Sequence, residues 1–212
     1  MSIAHLRTEY RHSALDEADA GDEPYGLFGR WFAQAVDAGG RDPNAMSLAT
    51  CDAQGQPAVR IVLCKEFDER GFVFYTNRES RKGHELAANP QASLLFYWAD
   101  LERQVRIEGR VAAVSESEAD AYFAERPRAA RIGAWASPQS QVLPDREELG
   151  RRVAAATLRF AGQEHPPRPP HWGGYRLSPA VIEFWQGRES RLHDRLRFRQ
   201  AGGRWLRERL AP

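Results

Sequence analysis

The chain has 212 residues, 42% hydrophobic and 28% charged, which suits one ordinary domain and excludes a disordered chain. Its 30 basic and 29 acidic side chains leave a net charge of +1, so no long-range field favours DNA, RNA or an anionic membrane, and phosphate recognition must be local. The basic residues are 28 Arg and two Lys, Lys65 and Lys82, which draws attention to those two positions.

In chain order, residues 1–24 are polar and mixed in charge, end in AGDEPYG, and read as a mobile N-terminal arm before a single domain over 25–212. Leu27, Phe28, Trp31, Phe32, Ala35 and Val36 recur at helical spacing until Gly39-Gly40 stops the helix. The runs AMSLATC, PAVRIVLCK and FVFYT then read as strands, antiparallel because their connections are too short for a crossover helix. A short helix over 78–89 ends at Asn89-Pro90, and QASLLFYW and ERQVRIEGRVAAV add two strands. Five strands so closely spaced predict a barrel. Helices follow at Glu116–Glu125, around Arg131–Trp135 and at Asp145–Phe160, the last with Leu149, Val153, Ala156 and Phe160 on one stripe. After the stiff connector HPPRPP, the segments WGGYRLS, AVIEFWQ, RLHDRLRFR and RWLRERL read as strands, with turns at Gly187–Ser190 and Gly202-Gly203.

Cys51 and Cys64 fit no metal spacing and no disulfide framework, and a hairpin over 46–65 holds them too far apart to bridge. The N-terminus lacks an apolar signal region, and the longest apolar run, Ala92–Ala99, is too short to span a bilayer. The chain reads as a soluble cytoplasmic protein.

There is no G-x-G-x-x-G after a strand, no Walker loop, no H-E-x-x-H and no G-x-S-x-G. Four segments instead carry anion-binding chemistry. In RIVLCK, alternation puts Arg60 on one face with Val62 and Cys64, and Lys65 on the other with Ile61 and Leu63. One cation must face the apolar side, where it needs an anion, unless the strand ends before Lys65; an edge strand with solvated ends is the plainer alternative. In YTNRESRK a helix starts with Asn77 or Ser80 as cap, and free N–H groups beside Arg81 and Lys82 suit a phosphate, or simply a capped surface helix. Tyr122 and Arg126 stand one helical turn apart and can grip one anion. Arg191, His193 and Arg195 alternate onto one strand face beside Trp185, a self-repelling row unless an anion or aromatic ring lies over it. The residue patterns reach a β-barrel that binds one or two small phosphorylated aromatic molecules, and go no further.

The segments IAHLRTEY, RIVLCK, FYTNRESRKGHEL, ERQVRIEG, RPRAARIGAWASPQS, HWGGYR and IEFWQGRESRLHDR, with the terminal ERLAP, together resemble the pyridoxamine 5′-phosphate oxidase family, in order and over about Ile3 to Pro212. The resemblance implies a mainly β, antiparallel, Greek-key-type FMN-binding split β-barrel with flanking helices. It also implies a homodimer with two FMN clefts at the subunit interface, and oxidation of pyridoxamine or pyridoxine 5′-phosphate to pyridoxal 5′-phosphate by O2, giving H2O2 and, from the amine, NH3. Carried over by matching position, flavin contacts fall on Arg60, Ile61, Val62, Leu63, Cys64, Lys65, Tyr75, Thr76, Arg81, Lys82, Gln104, Gln139, Ser140, Trp185 and Arg195. The substrate phosphate falls to Lys65, Tyr122 and Arg126, with Ala130 where the family pattern has a serine; Arg191 and His193 lie beside the substrate ring as catalytic candidates. Arg7 and Tyr10 belong to an arm that closes over the ring, Thr8 departs from the pattern, and Asp42 matches an acidic residue near the site. No metal is implied.

Two rival readings stay open: a flavin split barrel with another reaction, and a module that carries pyridoxal 5′-phosphate without catalysis. A nucleic-acid role is weakest at this net charge.

Overall fold

The computed structural model describes residues 2, 5, 9, 10 and 13–212. Its spine is a nine-stranded antiparallel sheet, and the strands that build it are β1 (Ala45–Cys51), β2 (Pro57–Leu63), β3 (Glu66–Asp68), β4 (Gly71–Asn77), β5 (Gln91–Trp98), β6 (Arg103–Ala113), β7 (Trp172–Gln186), β8 (Asp194–Ala201) and β9 (Arg204–Arg209). The order is β2-β1-β5-β6-β7-β4-β3, with β8 on β7 and β9 on β8. Both β4 and β8 pair with β7, at its two ends, so the sheet splits there as the expected split-barrel class requires.

Helix α1 (Glu17–Ala20) precedes α2 (Pro24–Asp37), which starts with proline in its first turn, where the missing N–H costs nothing. The apolar stripe of α2 sends Leu27, Phe28, Trp31 and Ala35 into the core. Phe28 is fully buried, its ring centroid 4.7 Å from Phe67, 4.9 Å from Phe72 and 5.1 Å from Phe96. Truncating it to alanine would cost about 3–5 kcal/mol. In β1, Met46, Leu48 and Thr50 alternate inward, and this fixes the register of the β1–β2 hairpin from Ala45↔Leu63 to Cys51↔Pro57. Cys51 and Cys64 lie at opposite ends of that hairpin, both as free thiols.

Helix α3 (Arg81–Ala88) is capped by Ser80, whose hydroxyl accepts from the Gly83 N–H; Asn77 instead accepts from the Glu79 N–H. Helices α4 (Glu116–Glu125), α5 (Arg128–Ala136) and α6 (Arg146–Arg159) join β6 to β7. The stripe predicted for α6 is only half used: Ala156 and Phe160 are buried against Ile132 and Ala136, whereas Val153 is exposed.

Three expectations need correction. WGGYRLS and AVIEFWQ form one 15-residue strand, β7, because Pro179 falls opposite Gly109 where the register shifts, and a bulge tolerates a residue that cannot donate. A Cβ on Gly109 would lie 2.1 Å from the Ser178 carbonyl oxygen, so that crossing needs glycine. Arg191, His193 and Arg195 do not share a strand face: Glu189–Arg191 form a 3-10 turn with Ser190 and Arg191 at positive φ, and β8 starts only at Asp194. From Leu15 on, the segment read as an arm is docked. Leu15 is buried and its N–H donates to Asp194 (3.1 Å), while Arg209 pairs with Glu17 (2.6 Å).

Candidate active site

The predicted site residues gather in two groups. The first surrounds a cavity of about 350 Å³ lined by Arg60, Ile61, Val62, Leu63, Lys65, Tyr75, Thr76, Lys82, Tyr122, Arg126 and Gln139. β2 ends at Leu63, so Lys65 lies beyond the strand and the cation that turns inward is Arg60. Its Nη2 donates to Glu85 Oε2 (2.9 Å) and its Nη1 to the Leu48 carbonyl (3.1 Å) and the Thr50 hydroxyl. Glu85 also accepts from Arg81 Nε (2.7 Å). Burial alone would raise its pKa, but the hydrogen bonds from Thr50, Arg81 and Arg60 hold it below the ordinary carboxylate range.

Lys82 is buried, and its Nζ donates to Gln139 Oε1 (2.9 Å), Thr76 Oγ1 (3.1 Å) and Ser80 Oγ (3.2 Å), all neutral oxygens. Burial, helped by Arg60, pushes its pKa down. A buried ammonium with only neutral acceptors, at a helix start and facing a cavity, carries a charge that an anion there would balance.

The opposite wall is aromatic. Tyr75 stacks on Tyr122 with centroids 4.0 Å apart and on Trp172 at 5.4 Å. Lys65 Nζ stands 6.0 Å from the Tyr122 ring, and the Arg126 guanidinium lies 5.0 Å from the Trp172 ring. Arg126 Nη2 donates to the Ala130 carbonyl (3.3 Å), while its buried Nε has no partner. An orphaned guanidinium N–H beside Lys65 and Tyr122 suits a second anion. Ser140, at φ +71, lies beside Gln139 in a neighbouring cavity that Arg81 also lines. Cys64 turns away from the cavity: its thiol donates to the Glu66 carbonyl (3.3 Å), and burial pushes its pKa up to about 11.

The second group lies at the other end of β7. Trp185 faces Gln104 on one side and Arg195 on the other. The Trp185 and His193 rings are 4.6 Å apart, and Tyr10 closes on them at 5.7 and 5.6 Å, with Arg191 6.0 Å from the Tyr10 ring. His193 Nδ1 accepts from the Arg188 N–H (3.1 Å); burial and then Arg191 lower its pKa, against a smaller opposite pull from Asp194. Arg195 is held by Glu183 and the Ala211 carbonyl, both at 2.8 Å. Arg7 lies outside the described residues. Asp42, at φ +51, joins neither group and lines a separate cavity of about 240 Å³ with Tyr97 and Trp98.

Gly174, opposite Tyr75, and Trp185, opposite Gln104, are eleven residues apart on β7. That is roughly 35 Å along the strand at about 3.3 Å per residue. One copy of the chain therefore keeps these two groups of residues apart.

Glu85, Trp172 and Glu183 complete these groups without having been singled out in sequence. Only Glu85 left a readable signal, its i,i+4 spacing from Arg81.

Among known proteins, residues 32–160 match the family model described as "Pyridoxamine 5′-phosphate oxidase", and residues 172–212 the one described as "Pyridoxine 5′-phosphate oxidase C-terminal dimerisation region". The pyridoxine/pyridoxamine 5′-phosphate oxidase of Paraburkholderia phymatum is 58% identical over 212 residues, covering 100% of this chain and 99% of the relative. That of Cupriavidus necator is 58% identical and covers 99% of each. Among solved structures, PhzG from Burkholderia lata, in complex with tetrahydrophenazine-1-carboxylic acid, is 37% identical with a TM-score of 0.87, covering 94% of this chain and 98% of its own.

Proposed function

The chain belongs to the pyridoxamine 5′-phosphate oxidase family, and on that premise we propose that it oxidises pyridoxamine or pyridoxine 5′-phosphate to pyridoxal 5′-phosphate, in vitamin B6 biosynthesis and salvage. Its cofactor is FMN. Oxygen takes the electrons and leaves as hydrogen peroxide; the amine also consumes water and releases ammonia.

One observation carries this reading: two separate sets of cations face a single cavity, matching two phosphorylated molecules that must meet. The buried Lys82 with Arg60 suits the FMN phosphate, and Arg81 stands on the adjoining cavity, held by Glu85. Lys65, Tyr122 and the unpartnered Nε of Arg126 suit the substrate phosphate. FMN, when bound, supplies the two-electron acceptor; the chain supplies placement and exclusion of water. Tyr75, Thr76, Gln104, Gln139, Ser140, Trp185 and Arg195 complete the flavin's surroundings in this reading. Arg191 and His193 orient the substrate ring as it loses its proton. With Nδ1 accepting from Arg188, the neutral His193 ring carries its hydrogen on Nε2 and donates there, which favours orientation first.

The two half-sites require a second copy: the cavity of one subunit receives Trp185, Arg191, His193 and Arg195 from its partner. The outward row Val59, Ile61 and Leu63 on β2, exposed in a single copy, offers apolar area for that contact. No described helix is long and apolar enough to cross a membrane, and the free thiols fit a reducing cytoplasm.

The test is the visible spectrum of the purified protein under anaerobic pyridoxine 5′-phosphate, followed by air. Bleaching of the flavin bands and stoichiometric peroxide on reoxidation are expected. A yellow protein that neither bleaches nor releases peroxide would indicate another flavin reaction, and a colourless protein that binds pyridoxal 5′-phosphate would indicate a carrier.

A further inference from the structure

Arg126 ends α4, and Pro127 then turns the chain into α5. Pro127 has no N–H to continue the helix, so the last carbonyls of α4 need other donors. They find one on α5: buried Arg131 donates from Nε to the Arg126 carbonyl (2.7 Å) and from Nη2 to the Ala124 carbonyl. The return contact runs the other way, from the Arg126 side chain to the Ala130 carbonyl (3.3 Å). Each arginine thus grips the backbone beside the other, across a corner only a few residues long. The Arg126 guanidinium is what this corner presents to the cavity, with Tyr122 one turn before it on α4.

We propose that Arg131 is a positioning residue for the substrate phosphate: it latches the α4–α5 corner and so sets where Tyr122 and Arg126 stand, without touching substrate itself. The proposal rests on the reading that this cavity takes a phosphorylated vitamer.

Arg128 provides a comparison with the same bonding pattern at an exposed position. It caps the end of α6 in the same manner, donating to the Phe160 (3.1 Å) and Gln163 (3.0 Å) carbonyls, but lines neither group of site residues. In the flavin-loaded enzyme, Arg131→Met should raise KM for pyridoxine 5′-phosphate about tenfold, leave kcat within about twofold, and leave the FMN Kd unchanged. Arg131→Lys, which keeps a donor, should recover part of the loss. Arg128→Met, at an exposed side chain, should lower the melting temperature by less and leave KM unmoved. An Arg131→Met enzyme that melts lower yet keeps its KM, or an Arg128→Met enzyme whose KM rises equally, would overturn the proposal. If Arg131→Met does not fold, Arg131→Lys and Arg131→Gln carry the same comparison. Should the wild-type protein turn over no vitamer, the functional reading fails separately. The latch is then read from inorganic phosphate binding by calorimetry, which Arg131→Met should weaken about tenfold and which, if unchanged, refutes it.

Discussion

Arg60 and Glu85 meet at 2.9 Å where the β1–β2 hairpin crosses α3, and the same carboxylate holds Arg81 from within its own helix. Glu85 is almost fully buried, so one fixed charge orders two guanidiniums at the start of α3 and on β2. Replacing Glu85 by Gln keeps the shape and removes the charge, leaving two guanidiniums facing each other. Stability at pH 7 should fall by about 1–3 kcal/mol, discounted for the partial exposure of the arginines. The folded-state pKa of Glu85 is depressed, so its contribution is present in full above the ordinary value of 4.5 and is lost as pH falls through the folded value. Urea midpoints of wild type and Glu85→Gln should therefore differ most at neutral pH and converge in acid. An equal gap at pH 7 and pH 3.5 would refute the electrostatic account.

Lys82 makes a sharper prediction, because its three ammonium hydrogens meet only neutral oxygens and its charge stays unbalanced until an anion approaches. Lys82→Met removes a charge-assisted bond of about 1.5–3 kcal/mol, so the FMN Kd should rise by roughly 10- to 100-fold. Quenching of flavin fluorescence on titration with apoprotein reads this directly. Riboflavin, which lacks the phosphate, should bind wild type and variant alike; equal losses for both ligands would put Lys82 on the ring instead.

His193 separates orientation from proton transfer. With its pKa lowered, the ring is neutral at pH 7, and its Nδ1 is already engaged by Arg188. His193→Ala should raise KM about tenfold and lower kcat by less than about threefold. A fall in kcat of about a hundredfold at constant KM would assign His193 the proton instead.

Local chemistry was readable from the residues, and long-range assembly was not. The helix start after Asn77, capped by Ser80 of the two candidates, and the β1–β2 hairpin depend on neighbours within a few positions, and both are found where the spacing put them, whereas Arg81 and Lys82 open onto different cavities. Arg191 and His193 were misplaced onto a strand because a polar alternation looks the same in a turn, and only positive φ at Ser190 and Arg191 breaks the ladder. The continuity of β7 through Pro179 was hidden for a related reason. A bulge is specified by the partner strand, here at Gly109, and not by the strand that contains the proline. The separation of the two half-sites could not be read at all, since it depends on which end of a 15-residue strand each group occupies.

That separation supports a test with two variants that are each inactive alone. Arg126→Ala disables the phosphate-gripping half, and Trp185→Ala the ring-orienting half. If each cleft combines one half from each subunit, a mixed dimer has one cleft with both defects and one with none. Equal co-expression makes about half the dimers mixed, so the pool should recover about a quarter of wild-type activity, and isolated mixed dimers about half. Were the halves to meet within one subunit, every cleft would carry a defect and mixing would restore nothing. Differential tags on the two variants allow the mixed dimer to be purified and assayed by peroxide release. The recovery must also vanish when both substitutions sit on the same chain of that dimer and the partner chain carries Arg126→Ala, because neither cleft then has an intact phosphate grip.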